Sequence, residues 1–464
     1  MPDRRSPTLI LRGGEVYTPD GFRAADVRVE GGRIAQVDAE VAGGGEEVDA
    51  AGLLVLPGAV DAHVHSRDPG FPDKEDFASL TAAAAAGGVT TVVDMPNTVP
   101  AVDGPEVFRE KAAAAAGKAL VDFALWGAIR SSTEPAQIAG LAEAGAIGFK
   151  AYLGYAFRLR ERQIVYTGEA VEAGLEAPPD YGTLAFLAPA IRAHSLPLAV
   201  HAEDPGVLRR FSRPLSTYAD LLASRPALAE AIAVAALGAL SRETGLAVHL
   251  VHLSSRAGLH AALEARRSGG CLTLETCPQY LWLTDADHER LGARMKMYPL
   301  VRTADDQAAL REALRRGDVE VVATDHAPHS DEEKIGRSLG EALPGSPGVE
   351  TLYLSCLELA RAWGDPGAAA RWASEGPART LGIHPRKGTI QPGSDADLVL
   401  VDPAAETVVS AERLHSRQRH SALEGQRFGF KVRAVYSRGE LVAAGGEPAS
   451  DAGRGMLVRP AMRT

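Results

Sequence analysis

Five residues of this chain have the types and spacing of a metal centre. In DAHVHSRDPG, His63 and His65 stand two apart. On a β-strand that spacing points both imidazoles to the same face. His201 in HAED, His252 in VHLSS and Asp325 in ATDHAPH each follow a short apolar run. Imidazole nitrogens joined by a carboxylate form the donor set of Zn²⁺ or a similar divalent ion. A single histidine at a strand end is ordinarily a packing residue; four converging with an aspartate call for a site. The histidines at 194, 249, 260, 288, 384, 415 and 420 lack that placement and read as surface or packing residues. His326 reads as structural support beside the site.

Lys150 closes another apolar run, AIGFKAYL. Burying an unpaired ammonium is costly. The chain holds 41 arginines and only eight lysines. A lysine kept at this position therefore points to a property that arginine lacks. An amine can take up CO₂ and become a carbamate, an anionic oxygen ligand able to bridge two metals.

The elements that must position these residues follow from the apolar pattern. Candidate strands are Val55–His65, Thr90–Pro96, Val121–Ile129, Ala146–Leu153, Pro197–Asp204, Ala247–Ser255, Cys271–Leu281 and Val319–Pro328. Ala-rich helical stretches such as DFASLTAAAAAGG and DQAALREALRRG lie between them. Eight strand–helix alternations predict an α/β fold, a (β/α)₈ TIM-type barrel with its chemistry at the C-terminal strand ends. Residues 8–56 and 388–445 alternate apolar and polar residues between Gly pairs, as short strands do. The expected organisation is a small composite β-sandwich domain from residues 1–56 and 386–464, with the catalytic barrel at 57–385. The interval 155–183 is long for a strand–helix connection and is expected to cover the barrel mouth or join a subunit interface.

Composition narrows the function. The net charge is -11 and no basic run occurs, so no nucleic-acid partner is expected. Cys271, Cys277 and Cys356 are too sparse for a disulfide framework and fit a reducing compartment. The N-terminal stretch is not apolar over a length that a signal peptide or membrane span needs. A cytoplasmic enzyme without a membrane partner is expected.

In chain order, DAHVHSRDPG, KEDFASLTAAAAAGGVTTVVDMPNT, GFKAYL, HAED, VHLSS, ETCPQYL, ATDHAPHSDEEK, PGSPGVET and GSDADLVLVD resemble the amidohydrolase superfamily. Within it they resemble dihydroorotases most. The resemblance implies a barrel with a small β domain and a binuclear zinc centre, or one of similar divalent ions. Carried over motif by motif, one metal falls to His63, His65 and Asp325, and the other to His201 and His252. Carbamylated Lys150 and a hydroxide bridge them. Asp325 is implied as the catalytic proton carrier. Arg67, Asn97 and His329 are implied as the substrate residues that hold a ring carboxylate, and Asn97 is the sole asparagine of the chain. Glu275 is expected in structural support.

The expected reaction is then reversible hydrolysis of L-dihydroorotate to N-carbamoyl-L-aspartate, in pyrimidine biosynthesis. The expected partners are a small-molecule substrate, further copies of the chain and, as one option, aspartate transcarbamoylase. Three segments depart from this pattern: MKMYPLVR, which follows the usual Pro-Pro-Leu-Arg only loosely, the long segment after Lys150, and TCPQYL. TCPQYL places Gln279-Tyr280 where dihydroorotases commonly carry a His pair, and is hydantoinase-like. It keeps open an alternative among allantoinases, hydantoinases and dihydropyrimidinases. A non-catalytic scaffold subunit is disfavoured, since every metal-ligand position is filled.

Overall fold

The computed structural model describes residues 8–166, 173–449 and 452–461. Its centre is a parallel barrel. The strands are Ala59–Val64 (β1), Val89–Asp94 (β2), Asp122–Leu125 (β3, continued by Gly127–Ala128), Phe149–Tyr152 (β4), Leu198–His201 (β5), Val248–Leu250 (β6), Leu272–Thr276 (β7) and Val321–Val322 (β8). Neighbours pair in parallel from β1 to β3, then from the β3 continuation through β4 to β8. A bridge between Val64 and His326 closes the ring, and His65 N donates to His326 O at 2.8 Å.

Each strand feeds a helix. These are Phe77–Ala86 (α1), Pro105–Ala116 (α2), Pro135–Ala144 (α3), Tyr181–Ala193 (α4), Ala227–Thr244 (α5), Arg256–Arg267 (α6), Ala304–Arg316 (α7) and Leu352–Ala362 (α8). The sequence starts several of them with a capping side chain: Asp76 accepts from Ser79 N, Ser255 from Gly258 N and Thr303 from Asp306 N. The β pleat divides the strand residues between two cores. Leu198 and Val200 face the helices, whereas Ala199 faces the lumen with Val60, Val93, Trp126 and Val321. The lumen is closed below by the C-terminal tail, where Val458 joins that core. Val458 N donates to Phe123 O at 2.7 Å and Phe123 N to Met456 O at 3.0 Å.

The chain termini meet in one nine-stranded sheet. Leu398–Asp402, from the C-terminal part, pairs antiparallel with Leu54–Pro57 from the N-terminal part. This is the composite β domain expected from the alternating termini.

All eight barrel strands are shorter than the sequence reading, three of them for a local reason. The run Val55–His65 splits at Gly58, where a Cβ would collide with Thr90; Leu54–Pro57 belongs to the terminal sheet and β1 to the barrel. The seventh strand ends at Thr276, because Pro278 opens a short helix, Pro278–Trp282. The eighth is only two residues long, since the chain turns left-handed at Asp325 (φ 50°). The long interval after β4 forms a small three-stranded sheet of Tyr155–Arg158, Gln163–Tyr166 and Leu175–Glu176. Residues 167–172 of that interval lie outside the described residues.

Candidate active site

The strand ends bring the candidate ligands together at one mouth. Nε2 of His63 lies 3.3 Å from Asp325 Oδ1, and Nε2 of His65 lies 3.0 Å from the same oxygen. Ligand atoms of these three residues all lie within 4.8 Å of one another. Across the lumen, His201 Nδ1 faces His252 Nε2 at 3.0 Å. The His63 and His252 rings, 5.3 Å apart, link the two groups. Burial lowers the pKa of His65 to about 4 and pushes His201 and His252 below the ordinary histidine value. These rings therefore present lone pairs at neutral pH. Burial works against the charge on Asp325, yet His63, His65 and Lys150 hold its carboxyl below the usual range.

Backbone strain marks the same place. Among the described residues, six other than glycine have a positive φ, and three of them are Arg67 (60°), His252 (43°) and Asp325 (50°). Such conformations cost ~1–3 kcal/mol each and persist where the surroundings fix them.

Lys150 and Tyr152 reach into this lumen from β4. Lys150 is fully buried, and its Nζ has no hydrogen-bond partner among the described residues. Burial lowers its pKa to about 8. Two clusters of imidazole nitrogens, a carboxylate and an unpartnered amine are the donor chemistry of a divalent-metal centre with a carbamate between the ions. The residues present fit that group.

Behind these residues lies a second tier. Glu275 accepts from His63 Nδ1 at 2.9 Å, from the His252 backbone N at 3.1 Å and from His249 Nε2 at 3.1 Å. Glu275 thus supports two candidate ligands, in line with the structural role expected of it. Glu203 lies 3.0 Å from His201 Nε2 and pairs with the Arg225 guanidinium. Asp61 accepts from Thr324 N at 3.0 Å and Thr324 Oγ1 at 2.6 Å, which anchors the turn before Asp325. Burial raises the Asp61 pKa to about 7. Sequence reasoning missed Glu203, Arg225 and Asp61. The spacing rule applied to His63 and His65 also fits Glu203, two residues after His201, and Asp61, two before His63.

A cavity of about 1030 Å³ opens beside the histidines. Its wall includes Arg67, Asn97 and His329 together with Gln163, Tyr166, Arg225 and Tyr298. The three expected substrate residues do converge, but each is already engaged. Asn97 Oδ1 accepts from His65 Nδ1 at 2.8 Å. Arg67 donates to Pro328 O at 3.2 Å and lies 3.3 Å from His329 Nε2. Gln279 does not line the cavity. Its Nε2 donates to Thr324 O at 3.1 Å and braces the segment that carries Asp325. The strand Gln163–Tyr166, within the long interval expected over the mouth, forms part of the cavity wall.

Comparison with known proteins fixes the family and corrects the expected activity. An allantoinase from Rubrobacter xylanophilus is 39% identical over 97% of this chain and 97% of its own length. An L-hydantoinase (dihydropyrimidinase) from Arthrobacter aurescens superposes with a TM-score of 0.89 at 30% identity, covering 97% of this chain and 99% of that one. A dihydroorotase from Geotalea daltonii is 34% identical over 90% of this chain and 95% of its own length. Relatives named allantoinase recur from 39% to 30% identity over nearly the full chain. They overturn the expectation of a dihydroorotase, and with it the place in pyrimidine biosynthesis. The association with aspartate transcarbamoylase loses its support as well. The physical reason is that the polar cluster of Arg67, Asn97 and His329 does not single out a carboxylate: Asn97 meets His65 only through its Oδ1 acceptor and Arg67 keeps guanidinium N–H groups, donors that suit a ring carbonyl as well as a carboxylate. Residues 54–442 match the Amidohydrolase family, and the chain belongs to that family.

Proposed function

We propose that this chain is a divalent-metal-dependent hydrolase of cyclic ureides, opening a hydantoin-type ring as allantoinases and hydantoinases do. The observation that carries the reading is the barrel mouth itself: His63, His65 and Asp325 form one group, His201 and His252 another, and an unpartnered Lys150 is buried in the same lumen. The names of the relatives direct the choice toward allantoin and other hydantoins.

In this reading His63, His65 and Asp325 would hold one divalent ion and His201 and His252 a second, with Lys150, as its CO₂-derived carbamate, supplying an anionic oxygen donor to the centre. When bound, such ions act as Lewis acids on the ring carbonyl and make water nucleophilic near neutral pH. The remaining chemistry belongs to the chain. Asp325, kept ionised by its neighbours, takes a proton from the attacking water and returns it to the ring nitrogen as the C–N bond breaks. One C–O bond forms, one C–N bond is lost, and the product is a ureido acid. Glu275 and Glu203 accept N–H bonds from His63 and His201 and so fix their tautomers. Arg67, Asn97 and His329 bind the polar edge of the ring and orient the reacting carbonyl.

The test is kcat/KM for allantoin, hydantoin, dihydrouracil and dihydroorotate, with metal content measured on the same sample. About two divalent ions per chain and turnover of allantoin or hydantoin above the other rings are expected. Active enzyme without divalent metal, or a preference for dihydroorotate, would overturn the proposal.

A further inference from the structure

The two carboxylates behind the candidate ligands stand on different footings. Glu275, behind His63, lies inside β7 and is fixed by the parallel pairing of that strand. Glu203, behind His201, lies two residues past the end of β5 and outside any strand, so no backbone ladder sets its position. Its side chain is held instead by Arg225, which sits between the helix Tyr218–Ser224 and Pro226, the residue before α5. Both side chains are buried, at 3% exposure for Arg225 and 0% for Glu203. Arg225 Nε donates to Glu203 Oε1 at 3.3 Å, and Nη2 donates to Oε2, the oxygen that lies 3.0 Å from His201 Nε2.

The other edge and the face of the same guanidinium meet the cavity wall. Nη1 donates to the Tyr166 hydroxyl at 2.8 Å, and Cζ lies 3.7 Å from the centre of the Tyr298 ring. Tyr166 closes the strand Gln163–Tyr166, and Tyr166, Arg225 and Tyr298 all line the cavity beside the histidines. One planar cation therefore joins two wall segments, far apart in sequence, to the orienting partner of a candidate metal ligand. Neutralising Glu203 alone needs no such fork. A lysine supplies that charge for buried carboxylates elsewhere in the chain, Lys111 for Asp94 and Lys387 for Asp122. What arginine adds is a rigid plane with donors on two edges and a face that stacks on an aromatic ring.

We propose that Arg225 is a positioning residue that couples the substrate-facing wall to the His201–His252 metal-ligand pair: by holding Glu203 it sets the His201 imidazole, and by holding Tyr166 and Tyr298 it seats the wall against the same carboxylate. The inference rests on the cyclic-ureide reading above, in which His201 and His252 would hold a divalent ion. No covalent bond is made or broken at Arg225. A displaced Tyr166 carries Arg225 with it, Arg225 carries Glu203, and the imidazole turns with its carboxylate. A carboxylate that accepts from a ligating imidazole governs both ring orientation and metal affinity.

The experiment measures Zn²⁺ retained per chain against a chelator series, with kcat and KM on allantoin at saturating Zn²⁺ and the melting temperature beside it. Wild type is compared with Arg225→Lys, Tyr166→Phe and a scaffold control, Arg266→Lys. Arg266 is also held by three partners, Leu272 O, Asp318 O and Glu320, and touches no candidate ligand. Arg225→Lys keeps the charge and loses the fork. One of its two ions should be held ~10–100-fold more weakly, the usual loss when the partner of a ligating histidine is disturbed, and KM should rise by a larger factor than kcat falls. Tyr166→Phe removes one hydrogen bond from a side chain that is 41% exposed, so folding is spared. The same ion should loosen by roughly 2–10-fold, the net worth of one such bond, and KM should rise with it. Arg266→Lys should lower the melting temperature and leave both ions in place. The proposal is overturned if Arg225→Lys keeps both ions as tightly as wild type, if it loosens both equally, or if Tyr166→Phe moves KM alone. Wild-type enzyme that binds two ions but opens no ureide would instead sink the cyclic-ureide reading, and the chelator series would still judge Arg225; wild type that holds no Zn²⁺ would overturn both.

Discussion

Two buried lysines, one near each end of the barrel, are treated in opposite ways. Near the N-terminal end, Lys387 Nζ lies 2.6 Å from Asp122, 2.6 Å from Asp397 and 3.1 Å from Asp395. At the C-terminal mouth, Lys150 Nζ meets no carboxylate or carbonyl at bonding distance among the described residues. Of the chain's eight lysines, Lys111, Lys150, Lys296, Lys334 and Lys387 are buried. Lys111 pairs with Asp94, while Lys296 and Lys334 donate to backbone carbonyls. Lys150 stands apart from all of them. A paired ammonium in a closed core holds elements together, and an unpaired amine in a mouth is available for chemistry. The bottom of the barrel thus carries stability and the top carries reactivity, the division this architecture imposes.

The contrast breaks most sharply under substitution. Lys150→Ala should cost about 10⁴-fold in kcat/KM, the upper end for loss of an essential catalytic group, while the melting temperature holds or rises. Small carboxylic acids supplied with metal should restore part of the rate. Stopped-time ureide assays beside calorimetry would check both halves, and a destabilised but active variant would reverse the assignment. Lys387→Met should do the converse. It leaves Asp397 without its cation and removes one of two cations from Asp122 and Asp395, which keep Arg438 and Arg386; breaking comparable buried pairs costs ~3–5 kcal/mol. Denaturant unfolding should show that loss, with kcat per folded molecule unchanged.

How much of this was legible in the sequence follows from the same division. Barrel strands are buried on both faces, so they appear as apolar runs, and a histidine closing such a run is conspicuous. That made β1 to β8 readable in place, with His63, His65, His201, His252 and Asp325 as candidate ligands at their ends. Strand ends were less so, because a left-handed residue such as Asp325 (φ 50°) leaves no mark in a hydrophobic pattern. Arg225, 22 residues beyond Glu203, and the Val458 plug depend on tertiary closure and have no local signal. Substrate choice was the least legible. The cavity wall is assembled from Arg67, the Gln163–Tyr166 strand, Tyr298 and the loop before Pro344, which share no periodicity. Arg67, Asn97 and His329 were legible as a polar cluster, but not as one tied to His65 and Pro328.

The smallest expected effect concerns the proton on Lys150 in enzyme stripped of metal and CO₂. Burial lowers its pKa to about 8 in the folded chain, against about 10.4 for an unperturbed lysine. Below about pH 8 both states carry the proton, and the full penalty of a buried ammonium falls on the fold. Between about pH 8 and 10.4 the folded amine has lost its proton while the unfolded one keeps it. The unfolded chain then binds more protons, so stability rises with pH across that window and levels off above it. Other buried bases add to the slope, Lys334 at about 7 and Lys296 at about 8. The informative quantity is therefore the difference between wild type and Lys150→Met, from unfolding curves at pH 7, 8, 9 and 10. Wild type should gain on the variant as pH rises, and added bicarbonate with metal should remove the difference by converting the amine to its carbamate. Lys387→Met compared in the same way should show no such convergence at alkaline pH. Parallel pH profiles for wild type and Lys150→Met would mean that the Lys150 amine is solvated or paired in solution, and the contrast between the two ends of the barrel would not hold.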